Sequence, residues 1–525
     1  MSEAKRDFFE ELFDRTTFHQ RRMVLLLNET NGHWVTAKWL SEQLSMSMRT
    51  TLSVMNELAD KINEIDPEKF HFEFSRGRGV RLVIERDADV HQLAAEVVRS
   101  CHTVRIFEAL LTEEFDSVRN YALDHFISES TVRRCLARIQ NLLERYHISL
   151  GRENSQLVGE EQQIRMFMMT FFWSIYRGRS WPFAHVNEQR IERYVDHVLN
   201  SEFTVYPKIP YAYKKQVAYI FAEGIIRARK GKRVRFDPEV ERQITDNVLY
   251  PRFKKIMSEV DGVVDIQIAE IPFFFLVWLS MSKTIEIFTE SVLSKLMQEQ
   301  AEKQTQIYLA TELMLTRFQE EYFTIPEEKR WHFQACVLAN NCFAYYFKGF
   351  NTDTTGNTYK EIFSKNFPCL IEKTARFIDV LYEESKNPIF LEKEYLLIPY
   401  LKNILFLDNP CRYEVPISIL VESDMPNLLT NNLIQQLNGY FHYLYNITVA
   451  NSLEAEAKEV DILVTTGILK DIEKTYPEAQ VVVVGKKLSV GDMEKISQTL
   501  GEVSEKKHID WVLQKRNLED AFFEN

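Results

Sequence analysis

The sequence is poor in the residues that punctuate β-rich folds. Its 16 glycines and 15 prolines among 525 residues leave too few tight turns for a chain of many short strands, so a mainly α, multidomain architecture is expected. Long apolar runs are also missing. The longest, IPFFFLVWLSM at residues 271–281, falls well short of the roughly 20 residues needed to cross a hydrocarbon core and reads as a buried helix. The opening segment, MSEAKRDFFEELFDR, is charged throughout and lacks the apolar core of a secretory leader, which points to the cytoplasm and away from any membrane. Six cysteines (Cys101, Cys135, Cys336, Cys342, Cys369 and Cys411) show no C-x-x-C and no histidine pair at metal spacing. No metal site or disulfide framework is expected, and reduced, mostly buried thiols are the default. There is no G-x-S-x-G, no G-x-x-x-x-G-K-[ST] and no H-E-x-x-H, and GRGVRL after Gly77 fails the dinucleotide fingerprint. Neither catalysis nor a cofactor is indicated. Positive charge is scarce too: the net charge is −12, so any nucleic-acid role must rest on local basic patches.

A chain of this length should divide into several cores. Near its start, WLSEQLSMSMRTTLSVMNEL (residues 39–58) has the spacing of two short helices that share a seam. With Ser47 as N-cap, Thr51, Met55 and Leu58 fall on one face of the second helix, and Ala37, Leu40 and Leu44 on one face of the first. The opposite face of the second helix carries Arg49, Thr50, Ser53 and Asn56. These can donate to phosphates and base edges, and no large apolar side chain is expected among them. FHFEFSRGRGVRLVI follows, with Phe70, Phe72 and Phe74 alternating before the turn and Val80, Leu82 and Ile84 after it. A helical hairpin alone is common. A β-hairpin behind it makes a winged helix-turn-helix, with Arg76 and Arg78 at the tip placed to reach the DNA backbone or minor groove.

The pattern recurs 81 residues on, in FISESTVRRCLARI: Ile127 stands for Met46, Ser128 for Ser47, Thr131 for Thr50, Val132 for Thr51, Leu136 for Met55 and Ile139 for Leu58. Here the exposed face is Ser130, Thr131, Arg134 and Arg138, and HISLGRENSQLVG (residues 147–159) supplies a second short hairpin. His125 replaces Leu44 and is expected to lie partly buried on the seam. Acids outnumber bases over residues 1–160 but gather in EELFD and NEIDPEK, away from the proposed contact faces.

Beyond this lies a long helical region with a weak repeat of roughly 120 residues. KKQVAYIFAEGIIRA pairs with HFQACVLANNCFAYYF, and IAEIPFFFLVWL with LEKEYLLIPYLKNILFL. The run RARKGKRVRF, holding Arg227, Arg229, Lys230, Lys232, Arg233 and Arg235, reads as a solvated loop in preference to a phosphate-holding or partner-facing one. From Pro410 the pattern becomes α/β. VPISILV, YNITVA, VDILVTT and QVVVVG are strands of a parallel sheet, and LLTNNLIQQLNGYF and VGDMEKISQTL are helices. The closing HIDWVLQKRNLEDAFF is either an amphipathic helix using Ile509, Leu513 and Phe522 or a docking tail.

This order of parts, with LVGEEQQIRMF at residues 157–167 and WPF at 181–183 followed by VNEQRI, resembles the Mga/AtxA-like virulence regulators of Gram-positive bacteria. The resemblance covers nearly the whole chain. It implies two winged helix-turn-helix domains (1–86 and 87–160), two helical phosphotransferase-system regulation domains (161–286 and 287–409), an α/β domain similar to the EIIB component of sugar transporters (410–505) and a helical tail (506–525). The function it implies is a double-stranded-DNA-binding transcription regulator, an activator tied to sugar phosphotransferase status through its phosphocarrier proteins. Self-association as a homodimer through the EIIB-like domain is implied with it. The chain departs from the family pattern in two places. Lys214 and Lys215 stand where the first regulation domain's histidine is sought, leaving His332, at a helix start, as the phosphorylation candidate. The loop after ISILV reads ESDMPN, with Cys411 ahead of the strand and no cysteine in the loop to carry a phosphoryl group. That second departure disfavours the alternative of a phosphotransfer component. An RNA-binding antiterminator, the other alternative, would open with a small β-rich domain.

Overall fold

The structure, a computed structural model, describes residues 10–152, 156–199, 203, 209–259, 270–285, 288–352, 363–364, 366–453, 460–467 and 472–523. Two compact units divide it: Met1–Glu312 with Gln334–Thr358, and Leu313–Phe333 with Tyr359–Asn525.

The first unit opens with α1 (Arg15–Glu29), α2 (Ala37–Gln43) and α3 (Met48–Ile65), followed by the antiparallel pair β1 (Phe70–Ser75) and β2 (Gly79–Ile84) and then α4 (Val90–Arg99). Each helix starts where the sequence supplies an oxygen for an orphan N–H: Asp14 accepts from Thr17, Thr36 from Trp39, Ser47 from Thr50 and Asp89 from His91. An isolated bridge from Val35 to Val80 adds a third, minimal strand to the hairpin. It requires Gly79, whose φ of +105° any other residue resists, and whose added Cβ would run into the Val35 carbonyl. Met23, Leu27, Leu40, Leu44, Val54, Met55, Leu58, Phe70, Val80 and Leu82 fill the core, and α4 adds Leu93 and Val97 to it. The first core therefore draws on residues beyond the hairpin.

The same plan repeats with α5 (His102–Leu111), α6 (Val118–Asp124), α7 (Glu129–Glu144) and the short hairpin of β3 (Ser149–Leu150) and β4 (Leu157–Val158). The tip of this second hairpin, residues 153–155, lies outside the described residues. Then come α8 (Glu161–Tyr176), α9 (Glu188–Leu199), α10 (Tyr211–Arg229), α11 (Pro238–Thr245), α12 (Tyr250–Glu259), α13 (Ile271–Ser280), α14 (Ser282–Ile285) and α15 (Glu290–Lys303). The apolar run at 271–281 is the buried helix expected, and among the described residues no helix is long and apolar enough to cross a membrane. All six cysteines are buried, and none of them is in a disulfide.

Helices α16 (Gln306–Glu321) and α17 (Glu327–Tyr346) follow, then α18 (Pro368–Ser385) and α19 (Lys393–Leu407). Both members of each proposed repeat pair are helical, α10 with α17 and α13 with α19. The shared Ile-Pro sits differently, however: Pro272 lies in the first turn of α13, where its missing N–H costs nothing, whereas Pro399 lies inside α19.

The second unit ends in an α/β layer. Strands β5 (Ile417–Glu422), β6 (Ile447–Asn451), β7 (Ile462–Thr465) and β8 (Gln480–Val483) form one all-parallel sheet in the order β6-β5-β7-β8, as the β-branched runs predict. Helix α20 (Asn427–Phe441) makes the crossover from β5 to β6, the single turn α21 (Ile472–Thr475) lies between β7 and β8, and α22 (Val490–Phe523) closes the chain. The final segment is thus not a separate helix. It is the second half of one 34-residue helix, with Ile509 and Leu513 about half exposed; the side chain of Phe522 is outside the described residues.

Candidate nucleic-acid interface

The two helix-turn-helix segments share hydrogen bonds as well as spacing. Thr36 caps α2 through the N–H of Trp39 at 3.1 Å, and Ser117 caps α6 through that of Asn120 at 3.1 Å. In the turns, Met46 N–H donates to Ser41 O at 2.9 Å and Ile127 N–H to Ala122 O at 3.0 Å. Ser45 and Phe126 take the left-handed conformation with φ of +51° and +54°. Ser47 and Ser128 then cap α3 and α7, accepting from Thr50 and Thr131 at 3.2 and 3.1 Å. Every one of these pairs is 81 residues apart, so the duplication read from side chains extends to the backbone.

On α3 the buried seam is Thr51, Val54, Met55, Leu58 and Ile62. Arg49, Ser53 and Asn56 are exposed and Thr50 is half-buried. Two features of this face differ from the expected polar surface. Leu52 and Met48 stand exposed among the polar residues, at 45% and 42%, because the helix repeat of 3.6 leaves them on neither seam. The Ser53 hydroxyl donates to Glu57 Oε1 at 3.1 Å, which places an acid on the contact face. Arg76 and Arg78 are exposed at the wing tip, where Gly77 has φ of +92°.

On α7 the seam is Val132, Cys135, Leu136, Ile139, Leu142 and Leu143. Ser130 and Arg134 are exposed, and Thr131 and Arg138 half-buried. Ser128 Oγ lies 2.8 Å from Ser130 Oγ and 2.9 Å from Thr131 Oγ1, so three hydroxyls cluster at the helix N-terminus. Glu129, also at this end, is engaged by Arg133 at 3.2 Å. Among the described residues Arg49, Arg76, Arg78, Arg134 and Arg138 form no ion pair. Five guanidinium groups are thus available to an external anion, though Glu57 and Glu129 show that acids are not kept clear of these faces.

His125 departs from expectation. It is exposed, and its ring stacks on Tyr121 at 4.1 Å. Leu44, its counterpart, is 5% exposed. The imidazole meets its polar need in solvent while leaning on an aromatic face.

Residues 86–172 match the Mga helix-turn-helix domain. The second capped pair, its wing and most of α8 lie within that span. Three regulators of Bacillus anthracis are similar to the chain. Capsule synthesis positive regulator AcpA is 20% identical over 220 residues, 42% of this chain and 44% of AcpA. Capsule synthesis positive regulator AcpB is 19% identical over 306 residues, 58% of this chain and 61% of AcpB. The anthrax toxin expression trans-acting positive regulator is 23% identical over 221 residues, 41% of this chain and 44% of the relative. Residues 86–172 thus carry the Mga helix-turn-helix match, and the chain is similar to positive regulators of the Mga/AtxA type. It spans between 44% and 61% of the length of these three relatives.

Beyond the matched span, charge is also held where the sequence suggests solvent. Arg227, first of the basic run, is fully buried. It donates to Glu161 from Nε at 2.8 Å and Nη2 at 2.6 Å, and to Glu113 from Nη1 at 2.5 Å. Burial works against its charge, but Glu161 and Glu113 outweigh it and hold the guanidinium above its usual value. Arg165 of α8, also buried, donates to Glu161 at 3.0 Å, to Glu270 and to the carbonyl of Lys232 at 2.9 Å. Glu113 lies in the loop between α5 and α6, so this network joins the second helix-turn-helix to α8, α10 and the start of α13. One signal was present in the sequence: Arg165 interrupts the apolar run IRMFMMTFFW, and an arginine there needs partners.

In the positions where the family's histidine is sought, Lys215 is buried against Glu188 and Glu192, the latter at 2.5 Å, and Lys214 pairs with Asp196. His332 is half-buried, with its ring stacked on Phe406 at 5.1 Å. Helix α17 begins at Glu327, so His332 lies more than a turn inside it and not at its start. After β5, Ser423 and Asp424 bond to the Thr466 hydroxyl at 3.2 and 2.9 Å, and Asp424 pairs with Lys486 at 3.0 Å. Cys411 precedes the strand and is buried, which pushes its thiol up to about 12.

Proposed function

We propose that this chain is a DNA-binding transcription regulator of the positive type named in its relatives, reading double-stranded DNA through both helix-turn-helix modules. The observation that carries the reading is the doubled, serine-capped helix with arginines left unpaired on its outer face. Arg49, Thr50, Ser53 and Asn56 with Arg76 and Arg78 form the first contact set, and Ser130, Thr131, Arg134 and Arg138 the second. The second is the stronger, since its two arginines follow, one and two turns along the helix, three hydroxyls clustered at the helix N-terminus.

The finer organisation belongs to the same proposal: two regulation domains over 161–286 and 287–409, and an EIIB-like domain from 410 that serves self-association. The four-stranded parallel sheet and the absence of a cysteine in its β5 loop support the last point. So do Leu428, Leu429, Tyr440 and Tyr443, exposed along and just beyond α20 at 55–85%. Control by the phosphotransferase system would act at His332.

The deciding experiment is an electrophoretic shift with genomic fragments across a salt series. Arg134→Ala and Arg138→Ala should each weaken binding by about 1–3 kcal/mol if they meet a base, or reduce the salt slope by about one if they meet a phosphate. A double variant with the parent's affinity and slope would place the contact surface elsewhere.

A further inference from the structure

Phe126 combines two features that the fold does not need. It is 96% exposed, so its ring gains nothing from the rest of the chain. It also sits at φ +54°, where a bulky side chain is strained. Its counterpart in the first module, Ser45, holds the same backbone at φ +51° with a small polar side chain. The turn itself therefore sets no demand for an aromatic residue. Seen from stability alone, phenylalanine is a poor choice here.

Its position says what the ring can meet. Ser128 caps α7 two residues later, so Phe126 stands within about 8 Å of that cap along the chain. In helix-turn-helix docking the N-terminal end of the reading helix is the end that meets base edges in the major groove. The neighbours at this end that offer hydrogen bonds are Ser128, Ser130, Thr131 and Arg134. Glu129 is engaged by Arg133, while Asp124 is exposed two residues before Phe126. A phenyl ring has no donor for a phosphate, and beside a carboxylate it is badly placed to attract one. What the major groove offers an apolar ring is the C5-methyl group of thymine.

We infer that Phe126 is a specificity residue that reads thymine, its ring packing on the 5-methyl group beside the N-terminus of α7. The inference rests on the DNA-binding reading above. It makes the two modules unequal: a serine hydroxyl at this point in the first, an aromatic ring in the second.

The test uses the full chain and a duplex pool with a randomised core, enriched by rounds of binding to the parent protein and then recopied with either dTTP or dUTP. The two copies differ only in the 5-methyl group. The parent is expected to prefer the thymine copy about four-fold, the worth of burying one methyl group. Phe126→Asn, with a residue that accepts the left-handed conformation, should melt at the parent's temperature or above it. It should bind both copies alike, at the parent's affinity for the uracil copy. Retention of the four-fold preference by F126N would overturn the inference, since the methyl would be read elsewhere. So would unchanged binding to both copies together with lost transcription by purified RNA polymerase, which would turn the ring toward a protein. A parent protein that enriches no DNA at all would instead bring down the DNA-binding reading, and this inference with it.

Discussion

Replacing Arg227 by methionine tests whether the buried ionic network holds the second helix-turn-helix in place. The guanidinium is fully buried and makes three charge-assisted hydrogen bonds to two carboxylates. Methionine fills much of the volume but leaves Glu113 without this cation in a nearly dry site, and Glu161 with Arg165 alone at 3.0 Å. Removing one partner of a buried pair costs about 3–5 kcal/mol, most of it from the charge left behind. With a urea slope on the order of 3 kcal/mol per molar for a unit of this size, the midpoint should fall by about 1 M or somewhat more. Arg235, eight positions along the same basic run, is exposed, and Arg235→Ala should stay within about 0.5 kcal/mol. Adding Glu113→Gln to R227M should recover part of the loss by removing the stranded carboxylate. The measurement is urea unfolding of the full chain followed by tryptophan fluorescence, with proteolysis at the 112–117 loop as a local readout. An R227M midpoint no lower than that of R235A, or a further loss on adding E113Q, would show that the network does not bear on stability as reasoned.

Glu223 gives a prediction with pH. Burial holds its carboxyl well above the usual 4.5, so the folded chain keeps a proton that the unfolded chain releases. Its stability contribution is complete below about 4.5 and is lost as pH rises toward the raised value. Glu223→Gln should therefore melt above the parent at pH 8 and converge on it near pH 4.5, and a difference that does not change with pH would remove the explanation. Ending the chain before Pro410 should convert the proposed homodimer to a monomer by light scattering; a truncated protein that still sediments as a dimer moves the interface into the helical region. Incubation with the general phosphotransferase enzymes and labelled phosphoenolpyruvate should label the parent and spare His332→Ala, and label that persists in the variant would assign the acceptor elsewhere.

What could be read from sequence was what depends on near neighbours. The caps Ser47 and Ser128, their seams and the wing after Phe70 are set by spacings of three, four and two residues, and the structure shows the same hydrogen bonds at both sites. The four strands after Pro410 were legible for the same reason, as β-branched runs bounded by turns. Arg227 was not, because its partners lie 66 and 114 residues away, and a basic run looks solvated until those carboxylates are placed. His125 differs from its counterpart because alignment with buried Leu44 says where the backbone goes, while a polar ring on that backbone can still turn to water. His332 is not at the helix start expected because the helix begins at Glu327, more than a turn earlier. Leu52 went unnoticed because a seam drawn through every fourth residue hides what falls between seams.

The two heads that share a backbone do not share a surface. One presents a serine in its turn, with Arg49 and Glu57 on its outer face; the other presents a phenylalanine in its turn, with Glu129, Arg134 and Arg138 on its outer face. Under the DNA-binding reading, a single chain then imposes direction on its site, as a key with two differently cut edges does on a lock. Inverting the site relative to the transcription start would swap which head lies upstream, and a palindrome would be required only where two chains meet. Regulated promoters should accordingly be sought as lopsided, oriented elements, with mirror-image repeats at the spacing of a pair.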